Sequence, residues 1–359
     1  MARPALVPRL AVLAAAPLVL SAQDDGLRPV IGGLPFDSGF ALGLEYESPL
    51  FARDRLGFRT KAIGSVKEYG LVEAVLTASR LAGGRLFVEA RARYRNYPEE
   101  DFWGLGAKAS RHRRTTFRLE DFDCTATFGF RPQRALTFGI AGVLLKANTG
   151  PGRDADFPSV ERVFSATEVP ALDRQPHYLH GTAFVRADYR DDPEDATRGG
   201  YYELRGTYFH DRRFDRFHFR RYQLDLRQFL PAFAQDTIAI RSLAVVSHKQ
   251  RDRLVPFFLQ PTVGGGNDLR GYRQYRFRDE NALTFNLEYR RRMGTVFQLV
   301  GFADAGQVFP EPARMGVRGM RGSVGVGARV RFAEIMALGI EIGWSPEGLR
   351  LWFRSAPIF

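Results

Sequence analysis

The chain has 359 residues, with 52 Lys and Arg against 40 Asp and Glu for a net charge of +12, and one cysteine, Cys124. A single thiol excludes an internal disulfide, and six scattered histidines offer no zinc spacing, so no metal and no cofactor are expected. No apolar run reaches the ~18 residues of a spanning helix, which leaves β-strands as the one route across a bilayer.

In chain order, Arg3 and Arg9 precede an apolar run from Leu10 to Leu20, then Ser21-Ala22 and the polar Gln23-Asp24-Asp25. At about 1.5 Å per residue this run is too short to cross a core of ~30 Å. It reads as a secretory signal peptide, residues 1–22, cleaved after Ala22 to release a mature chain of residues 23–359.

From there the apolar period is two. In LFVEARARY, Leu86, Val88, Ala90, Ala92 and Tyr94 share one face, while Glu89, Arg91, Arg93 and Arg95 share the other. FDCTATFGF repeats the pattern, with Cys124 as a small apolar strand residue, and so do YQLDLRQ, LTFNLEYRR and SVGVGARVRF. Sixteen such segments are expected, at 28–33, 38–48, 55–66, 68–80, 85–97, 115–131, 136–148, 177–190, 200–211, 217–230, 237–249, 281–293, 296–308, 321–332, 337–345 and 348–354. Short turns (RPQRA, MGT) alternate with long polar connections such as 148–175, the arrangement of an outer-membrane barrel rather than of a β-sandwich. Thirty phenylalanines and thirteen tyrosines can supply lipid-facing bands. Arginines alternating with apolar residues explain the positive charge as lumen lining or lipid contacts, without nucleic acid.

The longest connection holds TVGGGNDLRGYRQYRFRDE, residues 262–280. No Gly-Lys-Ser/Thr follows its glycines, and no Gly-x-Ser-x-Gly occurs, so a phosphate cradle is excluded; spacing leaves open a lipase-type barrel with Ser, His and an acid, which meet only in space, but nothing points to it and no enzyme is expected.

GGGNDLRGY followed by LEYRRRM resembles the signature of the BamA/TamA outer-membrane surface-antigen family. DYRDDPEDATRGGYYELRG resembles that family's strand-loop element through Asp188, Arg190, Asp191, Pro193 and Gly199. GFADAGQVF resembles its Phe-x-Asp-x-Gly strand through Phe302, Asp304 and Gly306, and DFWGLGAKAS its Phe/Tyr-Gly-x-Gly segment. Phe359 resembles the aromatic end of an assembly signal, although Pro357 interrupts the last strand. No POTRA-like segment is read before the barrel, so the chain resembles short members made of the barrel alone.

The resemblance implies an all-β transmembrane antiparallel barrel of about sixteen strands whose loop, bearing Arg270, Gly271 and Tyr272, folds back into the lumen. It implies Asp304 as partner of Arg270, because an unpaired guanidinium in a confined site is costly, and Glu288 on the polar face of the next strand is a second candidate. Gly264, Gly265 and Gly266 are expected to hinge the loop inward, and Gly271 to adopt a backbone conformation barred to other residues. Two readings stay open for Arg270-Gly271-Tyr272: a purely structural plug, or part of a dynamic seam between first and last strands. Asp188, Arg190 and Asp191 read as a strand-end network, and Arg290, Arg291 and Arg292 as interfacial phosphate contacts.

The implied activity is to assist insertion or translocation of protein or lipid at the bacterial outer membrane. Implied partners are outer-membrane lipid, unfolded barrel proteins and a separate periplasmic protein. The alternatives are a passive pore or structural barrel without insertase action and, third, a surface adhesin.

Overall fold

The computed structural model describes residues 18–19, 26–53, 55–233, 235–332, 335–354 and 357–359. Sixteen strands follow one another: β1 Gly26–Ile31, β2 Ala41–Glu47, β3 Leu56–Ser65, β4 Gly70–Leu81, β5 Leu86–Phe102, β6 Thr115–Gln133, β7 Leu136–Pro151 and β8 His177–Asp188. β9 is Gly199–Asp211, β10 Phe219–Pro231, β11 Thr237–His248, β12 Asn281–Met293, β13 Phe297–Phe309, β14 Arg321–Phe332, β15 Ile335–Ser345 and β16 Gly348–Arg354. Each pairs antiparallel with the next, from β1 with β2 to β15 with β16. The first and last strands approach one another through Phe36, just after β1, which meets the Trp352 ring of β16 edge-on at 4.9 Å.

The period-two pattern sorts the side chains. Leu204, Leu224, Ile240, Leu287 and Val326 lie exposed on the outer face, while Glu203, Asp225, Glu288, Asp304 and Arg329 point to the lumen and are buried. That inversion of a soluble core, apolar outside and ionic inside, is what a membrane-spanning barrel requires. Turns such as 134–135 and 294–296 lie at one end, and connections 103–114, 152–176 and 249–280 at the other. The short-turn end is the periplasmic one and the long-loop end the external one.

Three features shape the lumen and its wall. Loop and strand aromatics plug the external half: Phe257 packs on Phe102 (5.5 Å) and Phe117 (4.8 Å). At the periplasmic end the last strand stops at Arg354, and Ile358 and Phe359 are buried with Phe229, Ala239 and Ala196. Phe359 therefore lies outside any strand, with its ring 6.1 Å from that of Phe229, and does not form the aromatic end of the ladder. The wall is also uneven among the described residues: β2 has 7, whereas β5, β6 and β7 have 17, 19 and 16.

Most of the signal-peptide segment lies outside the described residues. Leu18 and Val19 are described, paired with Ile31 and Val30, and cleavage after Ala22 would remove that pairing.

Candidate functional site: a loop bound to the last strands

The connection between β11 and β12 enters the lumen as a small ribbon, in which Thr262–Val263 pairs with Phe277–Arg278. Gly264 and Gly265 take φ of +121° and +119° at the turn, conformations that side chains resist. Gly266 is not in that region; a Cβ there would sit 2.6 Å from the Phe36 ring. Asp268 accepts hydrogen bonds from the Gly264 amide (2.8 Å) and the Leu269 amide (2.5 Å), and burial pushes its carboxyl up to about 6. Val263, Leu269, Tyr272 and Phe277 then pack with Ala282 and Val308 of the wall.

At the tip, Arg270 is wholly buried. Its Nε and Nη2 donate to the two oxygens of Asp304 at 3.0 and 2.7 Å, and its backbone amide donates to Asp304 Oδ2 at 3.1 Å. Nη1 reaches Glu288 at 2.5 Å and Glu341 at 3.3 Å. Burial works against this charge, but Glu288, Asp304 and Glu341 outweigh it and hold the guanidinium above its ordinary value. The Phe302 ring lies 3.5 Å beneath the guanidinium carbon.

The Phe-x-Asp-x-Gly pattern thus has a physical reading, since positions 302, 304 and 306 share the lumen face of β13. Phe302 stacks, Asp304 pairs, and Gly306 leaves room, because a Cβ there would come within 2.9 Å of Leu269. Asn286 and Ser323 also donate to Asp304, at 2.9 and 3.2 Å.

Gly271 acts differently from the expectation. Its φ is not positive; it is small because a Cβ would meet Ser323, Ser345 and the Trp344 carbonyl, each at 2.7 Å. The Tyr272 ring packs at 5.4 Å from that of Phe277.

Several participants escaped sequence reasoning. Arg329 binds Glu288 at 2.9 Å and Glu341 at 2.5 Å. Trp352 Nε1 donates to the Arg270 carbonyl at 2.6 Å, and both terminal nitrogens of Arg354 donate to the Gly266 carbonyl at 2.8 Å. Gly343 clears the path of the loop, since a Cβ there would lie 2.3 Å from the Arg270 carbonyl. The only available signal was strand parity, which put Arg329 on the polar face without naming a partner. Loop residues 266–271 are therefore tied to β12, β13, β14, β15 and β16.

Arg290 and Arg292 are not phosphate contacts at the interface. Arg290 points inward and donates to Glu288 at 2.8 Å, and Arg292 pairs with Asp195 at 3.3 Å; only Arg291 faces outward. Parity decides this, because adjacent residues of a strand cannot share a face, so Arg291 points away from Arg290 and Arg292.

The strand-loop element forms the turn between β8 and β9, away from the lumen loop. Arg190 binds both oxygens of Asp188 (2.9 and 2.8 Å) and donates to the Pro193 carbonyl at 2.9 Å. Asp191 accepts the amides of Thr197 (2.9 Å) and Arg198 (3.2 Å) and the Thr197 hydroxyl (2.5 Å). Burial raises the Asp191 carboxyl, but these donors outweigh it and hold it below its ordinary value. Gly199, at φ +93°, ends the turn. From the same turn Asp195 reaches Arg331 at 3.0 Å as well as Arg292, tying it to the periplasmic rim. DFWGLGAKAS supports the ribbon from the side: Gly106 donates to the Arg278 carbonyl (2.8 Å), and the Ala109 carbonyl accepts from Arg276 (2.8 Å).

A family model, the Omp85 superfamily domain, matches residues 108–346. The chain belongs to the Omp85 superfamily. No curated protein sequence matches this Omp85 chain. Among solved structures, it is similar to BamA from Haemophilus ducreyi lacking POTRA domains 1–3, with a TM-score of 0.67 at 12% identity over 91% of this chain and 68% of that one. It is also similar to CdiB from Escherichia coli, with a TM-score of 0.62 at 11% identity over 93% of this chain and 63% of that one. For CdiB from Acinetobacter baumannii the TM-score is 0.54 at 11% identity, over 88% of this chain and 56% of that one. At such identities the likeness is one of fold: this Omp85 chain is an outer-membrane β-barrel of BamA type.

Proposed function

We propose that the chain assists insertion or translocation of protein or lipid at the bacterial outer membrane, after export and removal of residues 1–22. The observation that carries this reading is the seam. β2, one strand in from its edge, has 7 residues, Ala41–Glu47, with described residues beyond both ends. At about 3.3 Å per residue it covers roughly 23 Å before tilt, less than the ~25 Å apolar band of such barrels. The bilayer thins to match a short wall. A briefly opened seam exposes strand edges that can template a client strand.

In this reading the bound loop is the latch. Trp352 and Arg354 of β16 hold the carbonyls of Arg270 and Gly266, and Arg270 is itself held by Glu288 and Asp304. Clients are unfolded barrel proteins or lipid, delivered by a separate periplasmic partner. The packed external half of the lumen supports this over a passive pore. The test pairs depletion with planar-bilayer recording. Loss of other outer-membrane barrels on depletion, with small erratic currents from the purified protein, is the expected result. A steady, wide ohmic conductance with other barrels unaffected would sink the reading.

A further inference from the structure

On the outer face of the barrel, near the external ends of β9 to β11, the ladders put Tyr208, Arg220 and His248 side by side: Tyr208 is paired with Arg220, and Arg220 with His248. All three are exposed and point away from the lumen. Neighbouring strands lie about 4.8 Å apart, so the row presents an aromatic, a guanidinium and an imidazole within about 10 Å. His210 stands two residues above Tyr208 on the same face and stacks on His218 at 4.8 Å.

The cleft these residues line has a volume of about 370 Å³. Other basic side chains there are already engaged: His218 is hydrogen-bonded to Asp215 at 2.5 Å, Arg253 pairs with Asp215 at 3.5 Å, and Lys249 pairs with Glu280. Among the described residues, neither Arg220 nor His248 makes a side-chain hydrogen bond or ion pair. Below the row, Leu204, Leu224 and Ile240 are exposed on the lipid-facing surface.

We propose that this row binds the phosphate of a lipid headgroup in the outer leaflet, with Arg220 and His248 as the anion ligands. Arg220 supplies a permanent charge and a fork matched to phosphate oxygens. Tyr208 sits at the depth where an amphipathic ring borders headgroups. Continuity with the apolar strip beneath distinguishes a lipid from a dissolved anion, since acyl chains can run down Leu204, Leu224 and Ile240 while the phosphate stays on the row. The assignment rests on residence in the outer membrane and not on insertase action.

The test uses the whole protein in detergent, incubated with bis-phosphorylated lipid A, with its dephosphorylated form, or with inorganic phosphate, and read by native mass spectrometry. The expected result is at least tenfold greater retention of the phosphorylated lipid than of the dephosphorylated one. That preference should be lost in Arg220→Ala/His248→Ala, reduced but still measurable in Arg220→Lys, which keeps the charge without the fork, and unchanged in Arg291→Ala, which removes an outward arginine at the opposite rim. Heat-modifiable gel mobility checks that each variant is folded. Equal retention by the double variant would overturn the proposal. Full displacement of the lipid by millimolar inorganic phosphate would instead assign the row to a dissolved anion and overturn the lipid.

Discussion

Two walls of the lumen use the same residue types to different effect. On β5 to β10, arginines pair with carboxylates on their own or the next strand: Arg93 with Asp123 at 2.8 Å, Arg95 with Asp121 at 2.7 Å, and Arg186 and Arg205 with Glu203 at 2.7 and 2.8 Å. Those guanidiniums keep 25–37% exposure while their carboxylates are nearly buried. On β12 to β16, Arg329, Glu288 and Glu341 are at 0%, as is Arg270 of the loop they hold. The first wall is a lining whose charges still see water; the second is a dry knot tied through an inserted loop. Dry charges are costly to take from water, so a knot of this kind holds only while every partner is present.

The largest expected effect comes from cutting the knot. Arg270→Ala leaves Glu288, Asp304 and Glu341 short of a cation, and breaking a buried pair costs about 3–5 kcal/mol. The unfolding midpoint should fall and residues 262–280 should become open to protease. Unchanged heat-modifiable mobility and unchanged protease resistance would show that this wall is no tighter than the other. Next in size is Gly343→Ala, whose added Cβ would lie 2.3 Å from the Arg270 carbonyl. Overpacking of this sort costs about 1–3 kcal/mol, and because no charge is removed it asks whether the loop's seat, rather than its ion pairs, holds it. Protease cleavage within 262–280 without loss of the barrel is the expected outcome.

The difference between the walls also explains what could be read in advance. Strand parity is local, so sixteen strands, inward arginines and outward leucines follow from alternation. Asp304 and Glu288 were reachable because the family resemblance supplied the loop's destination and Glu288 lies on the adjacent polar face. Glu341, Arg329, Trp352 and Arg354 were not, because they lie 59 to 84 positions beyond Arg270 and join the loop, directly or through shared carboxylates, only when it crosses the lumen. Gly271 shows the same limit: glycine was recognisable as special, but only the crossing shows that it yields space to Ser323 and Ser345 rather than a rare φ. The triple Arg290-Arg291-Arg292 was misread for the opposite reason, that a run of like residues hides the alternation dividing it between two faces.

On the wet wall the expected effects are small. Arg186→Ala removes a partly exposed partner of Glu203 but leaves Arg205 at 2.8 Å, so a change within about 1 kcal/mol in unfolding free energy, read from urea titration, is expected. A loss as large as that of Arg270→Ala would erase the distinction between the walls.

The smallest effect belongs to the turn between β8 and β9, outside both walls. The Asp191 carboxyl is held below its ordinary value of about 3.9 by its hydrogen-bond donors. The folded turn therefore binds fewer protons than the unfolded chain just below that value, and its contribution to stability is fully present above about pH 4 and lost as pH falls through the folded value. Hydrogen exchange at the Thr197 and Arg198 amides, corrected for intrinsic rates, should accelerate in that acid window, and Asp191→Asn should flatten the dependence. Protection of Arg270's amide, anchored on Asp304 in the dry wall, should not follow the same curve. If both amides loosen together, the turn and the knot form one cooperative unit, joined through the periplasmic rim by Asp195 on Arg292 and Arg331.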